Sequence, residues 1–400
     1  MATVDEQLKT LARGVESIIP LDEFRAKLEK SEKTGKPLHI KLGLDPTAPD
    51  IHLGFAVVLR KLRQFQDFGH RIDLVIGDFT GMIGDPTGKS ITRPRLTDEQ
   101  IVANAHTYEQ QLTKILLPER TEMHRNSTWL SKISFADLIG ILSKFTVARI
   151  LEREDFSNRL AAGQPLHVHE IMYPVAQALD SVNLVSDVEL GGLDQTFNIM
   201  AGRDLMRENG QEPQVGLFMP ILVGLDGVKK MSKSLGNYVG IFESPSEQFG
   251  KTMSIPDEAM KQWFELTTDI PMDEVETLLA GHPMTAKKRL AHEIVTMYHS
   301  AADADAAQQA WEHQFSQREI PVDMPVAAIA AADLKDGRLW IVDLLKAAGI
   351  AKGTNEARRF VSNGGVSVNG EKVTDAAAEV PVTEGDILKV GRRYARVQIG

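Results

Sequence analysis

Four hundred residues exceed what one hydrophobic core serves, so two or three domains are expected. With 42 % hydrophobic residues, 25 % charged residues and a net charge of −10, the chain reads as an ordinary globular protein. The absence of cysteine excludes disulfides, thiolate catalysis and cysteine-bound zinc.

No apolar run approaches the length that spans a bilayer, and the polar N-terminus lacks the apolar stretch of a signal peptide, so a cytoplasmic location is expected. LHIKLGLD (38–45) reads as a buried strand, HLGFAVVLRKLRQFQDFGH (52–70) as a helix with Phe55, Leu59, Leu62 and Phe65 on one stripe, and RIDLVIGD (71–78) as the next strand. This is a βαβ unit, where ligands collect beyond the carboxyl ends of strands. Thr97-Asp-Glu-Gln100 is a capping box opening a helix to about Leu116. Residues 170–182 and 194–208 read as helices, and VGLFMPILVGL (215–225) as an apolar strand. From Pro245 to about Arg318 the pattern is helical and acidic, and PVDMPVAAIAAADLKDG (321–337) has the look of a linker. The tail then reads as one helix, the turn signals SNGG and VNGE, and short strands. From Arg338 to Gly400 ten Lys and Arg face seven Asp and Glu, a net of +3, which leaves −13 on the remainder. An acidic body with a basic appendage suits contact with nucleic acid.

Chemistry concentrates in a few short stretches. His52-Leu-Gly-Phe55 opens a helix, whose free N–H groups and positive dipole end favour phosphate; taken alone, His52 is as well read as a simple cap. IGDPTGKS (83–90) lacks the glycine spacing of a P-loop, although Asp85 is placed to meet an ammonium. Tyr173, Gln177 and Asp180 share one helix face; they suit a small zwitterionic ligand or, read blandly, a solvated surface. GGLDQ (191–195) puts Asp194 and Gln195 at a helix start, where Asp194 also reads as the N-cap. VKKMSKSLGN (228–237) sets Lys230 and Lys233 on a loop after a strand, where two ammonium groups can close over a polyphosphate. His167-Val-His169 has the spacing of a metal-ligand pair but no third ligand, so surface histidines and no metal site are expected.

Taken in order, GLDPTAPDIHLG, IGDPTGKS, YPVAQALD, GGLDQ and KMSKS resemble the class I aminoacyl-tRNA synthetases, and within them the bacterial tyrosyl family. GTNEARRFVSNGGVSVNGEKV (353–373) resembles the RNA-binding module named after the fourth small-subunit ribosomal protein. The resemblance implies an α/β, Rossmann-like catalytic domain over 1–240, a helical anticodon-binding domain over 241–320, the linker, and a small α+β RNA-binding domain over 338–400. It implies activation of tyrosine by ATP, with Mg2+, followed by transfer to a cognate tRNA by a homodimer. By similarity, Asp85, Tyr173 and Gln177 hold the tyrosine ammonium, Asp180 accepts the phenol hydroxyl, and Gln195 lines the pocket. Asp45, Thr47, His52, Gly54, Gly192 and Asp194 match ATP-binding positions. Lys89, Arg93, Lys230 and Lys233 match the mobile cations over the pyrophosphate, with His52 beside them. Arg358, Arg359 and Lys372 fall in the RNA-binding module. Two positions depart from the pattern. Phe55 replaces the second signature histidine, and Lys41-Leu-Gly43 stands where the family often carries Tyr-Cys-Gly. That second substitution leaves a hydroxyl contact in doubt, with Lys41 free to point away. A tryptophanyl synthetase and a decayed, RNA-binding paralogue are the rival readings.

Overall fold

The computed structural model describes residues 2–44, 51–84, 111–316, 324–391 and 393–400. They form two compact units, Met1–Trp311 and Glu312–Gly400. Most of the helix expected at 97–116 lies outside the described residues.

The first unit is built on strands β1 (Ser17–Ile19), β2 (His39–Leu44), β3 (Arg71–Ile76), β4 (Thr121–Arg125), β5 (Val188–Gly192) and β6 (Val215–Met219), in the order β1-β6-β5-β2-β3-β4. All neighbours are parallel except β1, an antiparallel edge strand on β6 that the sequence pattern did not reveal. The apolar run expected to continue to 225 stops as a strand at Met219, ahead of Pro220, which has no N–H for a ladder. Helices α1 (Val4–Ala12), α2 (Leu21–Thr34) and α3 (Leu53–Asp67) come first, then four short ones: α4 (Ser127–Leu130), α5 (Phe135–Leu142), α6 (Val147–Leu151) and α7 (Glu154–Ala161). They are followed by α8 (Val168–Leu184), α9 (Thr196–Glu208), α10 (Pro245–Met253), α11 (Met260–Thr267), α12 (Met272–Ala280), α13 (Pro283–Tyr298) and α14 (Ala301–Ser316).

The α3 stripe folds as its spacing predicts. Leu59, Leu62 and Phe65 are fully buried, each burial stabilising by about 1.5–3 kcal/mol. Phe55 is half-buried and packs against the same core, which extends to Trp263, Phe264, Leu290 and Ile294. One core therefore runs through the stretches read as separate catalytic and helical domains. Chain order sends β3 and β4 to one side of β2, and β5 and β6 to the other. The carboxyl ends of β2 and β5 thus flank a topological switch point, the usual ligand crevice of such sheets.

The second unit is a five-stranded sheet ordered β10-β9-β12-β13-β7 with a separate pair, β11-β8. Its strands are β7 (Val326–Ile329), β8 (Arg338–Trp340), β9 (Val366–Val368), β10 (Glu371–Val373), β11 (Glu379–Pro381), β12 (Ile387–Val390) and β13 (Arg393–Ile399). Helices α15 (Ile341–Ala347) and α16 (Thr354–Ser362) complete it. Two expectations are corrected. The stretch read as a linker holds β7, which pairs in parallel with β13 and buries Ala327 and Ile329. Its alternation was hidden by small residues. The tail also has two helices rather than one, divided by a turn at Gly349 whose φ of 65° suits glycine. The VNGE signal does form a hairpin, with Asn369 and Gly370 at φ 48° and 88° between β9 and β10.

Candidate active site

Three of the stretches singled out above converge beyond the carboxyl ends of the strands. After β2, His52 precedes α3; after β5, Gly192 leads into a single 3-10 turn, Leu193–Gln195, before α9; after β6 comes the loop carrying Lys230 and Lys233. The loop is folded against the α3 entrance. Gly54 N–H donates to Met231 Sδ at 3.2 Å, Leu53 N–H donates to the Val239 carbonyl at 2.8 Å, and His52 bridges Gly240. Gly54 has little room for a side chain: a Cβ there would lie 3.1 Å from His52 Nδ1 and 3.2 Å from Met231 Cβ.

His52 Nδ1 is buried without a hydrogen-bond partner among the described residues. Burial first, and the nearby Lys233 ammonium second, push its pKa down to about 4. At neutral pH the ring is therefore uncharged and offers one N–H to an oxyanion. Lys230 is exposed, while Lys233 opens a short 3-10 turn, Lys233–Leu235. Two residues that sequence reasoning passed over shape this loop. Asp226 accepts from the N–H groups of Val228 and Lys229, each at 2.9 Å. Asn237, buried, accepts from Ser232 N–H at 2.9 Å and donates to Asp226 Oδ2 and to the Lys230 carbonyl. Asp226-Gly227 is a turn signal that was available in the sequence.

Asp194 is not the N-cap of α9; Gln195 is, and its side chain accepts from Asn198. The Asp194 carboxylate instead folds back over Gly192, where a Cβ would meet Oδ1 at 2.6 Å, so a side chain there would displace the carboxylate. Asp45, Thr47, Asp85, Lys89 and Arg93 lie outside the described residues.

The face of α8 that carries Tyr173, Gln177 and Asp180 is not solvated. Tyr173 is 7 % exposed and Asp180 4 %. Asp180 Oδ1 accepts from Trp129 Nε1 at 2.8 Å, and Oδ2 accepts from Asn126 Nδ2 at 3.3 Å. Burial pushes its carboxyl up to about 6, against Lys41, Trp129 and Asn126, which hold it down. Asn126 is itself fixed by Thr80 Oγ1 and by accepting from Phe79 N–H. Trp129 and Asn126 lay in a stretch without a periodic signal.

Strand alternation sends Lys41, Asp73 and Glu189 to the face covered by α8, since Ile40, Leu42 and Leu44 point the other way. In register they form a row: Glu189 beside Lys41, Lys41 beside Asp73, Asp73 beside Glu122. Lys41 does not point away; it is fully buried beneath α8. Burial opposes ionisation of Asp73, but hydrogen bonds from His124 and His39 hold it down at about 2. Asp73, Glu122 and His124 lie close enough to one another to hold a metal ion, although both Asp73 oxygens are already taken by imidazoles.

In the second unit Arg358 and Arg359 are exposed on α16, and Arg358 stacks over Trp340 at 5.4 Å. Lys372 is not with them. It lines a different groove, with Lys389, which stacks over Tyr394 at 5.3 Å.

Residues 32–316 match the family model of tRNA synthetases class I (W and Y). The chain belongs to that family. Within these class I synthetases, residues 320–390 match the C-terminal domain model of SYY-like tyrosine–tRNA ligases. The tyrosine–tRNA ligase of Moorella thermoacetica is 53 % identical over 401 residues, covering 98 % of this chain and 96 % of that one. That of Aquifex aeolicus is 51 % identical over 400 residues, covering both chains in full. A crystal structure of the Archaeoglobus fulgidus tyrosyl-tRNA synthetase complexed with L-tyrosine has the same fold, at a TM-score of 0.61 and 23 % identity, over 77 % of this chain and all of that one.

Proposed function

We propose that the chain joins tyrosine to its tRNA in two steps. The tyrosine carboxylate attacks the α-phosphorus of ATP and expels pyrophosphate; the adenylate then acylates the terminal ribose of the tRNA. The observation that carries this reading is the packing of His52-Leu-Gly54 against Met231 beyond the strand ends, which supports a site where the neutral His52 imidazole and the Lys233 ammonium act near the positive end of α3. No covalent enzyme intermediate is required. Catalysis is positioning and charge stabilisation: His52 donates to a phosphate oxygen, Gly54, Gly192 and Asp194 seat the nucleotide, and Lys230 and Lys233 stabilise charge developing on the departing pyrophosphate. Asp45, Thr47, Lys89 and Arg93 join them by similarity. Mg2+ would accompany ATP, with the phosphates supplying most of its ligands, and would offset charge on the departing pyrophosphate.

The amino acid is read by α8. Tyr173, Gln177 and Asp85 take the ammonium, Gln195 borders the pocket, and Asp180 accepts the phenol hydroxyl. Two donors and a buried lysine that favour its ionised form support that assignment. A substrate without the hydroxyl forgoes one charge-assisted hydrogen bond to this buried carboxylate and sets an apolar ring edge against it, which disfavours phenylalanine. The second unit contacts tRNA through Arg358, Arg359 and Lys372, and residues 241–320 read the anticodon. The chain works as a homodimer, a reading supported by exposed Phe135, Ile139, Val147, Leu160 and Val168; α5 in particular is apolar in sequence yet has no buried residue.

Pyrophosphate exchange tests the reading. Exchange that depends on tyrosine is the expected result. Exchange with tryptophan alone would assign the neighbouring specificity, and none with either would leave only the RNA-binding reading.

A further inference from the structure

We propose that Lys41 and Glu189 act as one buried ion pair that positions the tyrosine-reading face of α8, in place of a direct hydroxyl donor from strand β2. The proposal rests on the reading of α8 as the tyrosine site and names two positioning residues for it.

The pair is fully withdrawn from water: Lys41 is 0 % exposed and Glu189 1 %, with Nζ to Oε1 at 3.0 Å. An ammonium has three donors, and Lys41 spends all of them inside the protein: on Glu189, on the Gln177 carbonyl at 3.1 Å and on Ser181 Oγ at 2.8 Å. It has none left for a ligand, so it cannot serve as a phenol donor; it acts through its neighbours. Glu189 is equally saturated. Oε1 takes Lys41 and Gln177 Nε2 at 3.0 Å, while Oε2 takes Ser181 Oγ at 3.0 Å and Gln214 Nε2 at 2.5 Å.

Two consequences reach the substrate. Because the Gln177 NH2 is committed to Glu189, the amide cannot flip, and its carbonyl oxygen remains as the acceptor for an ammonium. Because Lys41 stands beside Asp180, its charge favours the ionised carboxylate, while Glu189 works the other way. The other charged and polar groups facing Asp180 among the described residues are Trp129 and Asn126. One place further along the row is Asp73 with its partners His39 and His124, then Glu122. Removing one member of a buried pair leaves an uncompensated charge, whereas removing both restores neutrality.

The test uses the full-length protein as Lys41→Met, Glu189→Gln and the double variant, with tyrosine-dependent pyrophosphate exchange measured across pH. The expected result has three parts. Each single variant raises KM for tyrosine about tenfold or more, the scale of one lost charge-assisted hydrogen bond, with KM for ATP unchanged. The acidic limb of the tyrosine kcat/KM profile moves to higher pH in Lys41→Met and to lower pH in Glu189→Gln. The double variant recovers part of the loss. A merely structural pair would lower stability in both variants without moving the limb in opposite directions. Limbs that stay in place, or that move the same way in both, overturn the proposal. If Lys41→Met does not fold, the Glu189→Gln shift and the double variant still decide it. Exchange by the parent protein that does not depend on tyrosine would instead overturn the underlying reading of the site.

Discussion

Asp180→Asn separates what the fold wants from what the pocket wants. A carboxyl whose folded pKa lies above its unfolded value releases its proton later in the folded chain than in the unfolded one. Its burden on stability is therefore absent below the unfolded value, grows as pH rises through the interval, and is constant above the folded pKa. For Asp180 the interval runs from 3.8 to about 6. Roughly two units correspond to about 3 kcal/mol of destabilisation at pH 7.5. The asparagine retains an acceptor for Trp129 Nε1 but turns a donor toward Asn126, at a cost of about 1 kcal/mol for one poorly paired amide edge. The variant should therefore be more stable than the parent by about 2 kcal/mol at pH 7.5, and less stable by about 1 kcal/mol below pH 4. Urea titrations followed by tryptophan fluorescence at both pH values measure this. The same variant should lose about tenfold in kcat/KM for tyrosine, the difference between a charged and a neutral acceptor, and should flatten the decline in kcat/KM that the parent shows below pH 6. A variant destabilised equally at both pH values, or one whose activity profile still falls below pH 6, would refute the reasoning.

Alanine at Lys230 or Lys233 should slow adenylate formation by about 2–4 kcal/mol while leaving tyrosine affinity nearly unchanged; single-turnover bursts at the parental rate would remove both from the mechanism. A chain ending at Ser316, ahead of strand β7, should keep pyrophosphate exchange and lose tRNA charging, with the deficit relative to the full chain greatest at low salt and narrowing as salt is raised; normal charging would make the second unit dispensable. Phe55→His should lower the melting temperature without speeding adenylation, because Phe55 already packs against the main core and a ring there gains no partner; a faster, equally stable variant would show that a donor was missing.

The parts of the fold that were legible in the sequence were those where one periodicity dominates. The α3 stripe and the β2 and β3 runs each repeat a burial pattern that a short window contains, and a glycine with positive φ at Gly69 marks where α3 has ended. Strand β7 was lost because its buried positions are filled by Ala327 and Ile329 within an alanine-rich run, which carries little hydrophobic contrast. Strand β1 was lost for a different reason: three residues are too few for a period, and only pairing with β6 makes them a strand.

The site was legible where its residues are local in sequence and opaque where they are not. His52-Leu-Gly54 and the loop around Lys230 each announce themselves within a few positions. Their contact through Met231 Sδ follows only from the sheet order, which brings the ends of β2 and β6 to the same edge. Lys41 is the extreme case. Inside an apolar strand a lysine looks like an error of pattern, and the natural inference sends it toward water. Its partner Glu189 looks like the same error in another strand. Only the parallel register that sets the two side by side makes each the explanation of the other, and the four further groups that saturate them, Gln177, Ser181, Gln214 and the Gln177 carbonyl, come from α8 and the approach to β6. A charge that breaks a buried pattern is therefore best read in pairs: two such breaks of opposite sign in neighbouring strands indicate a built interior network, and one alone does not.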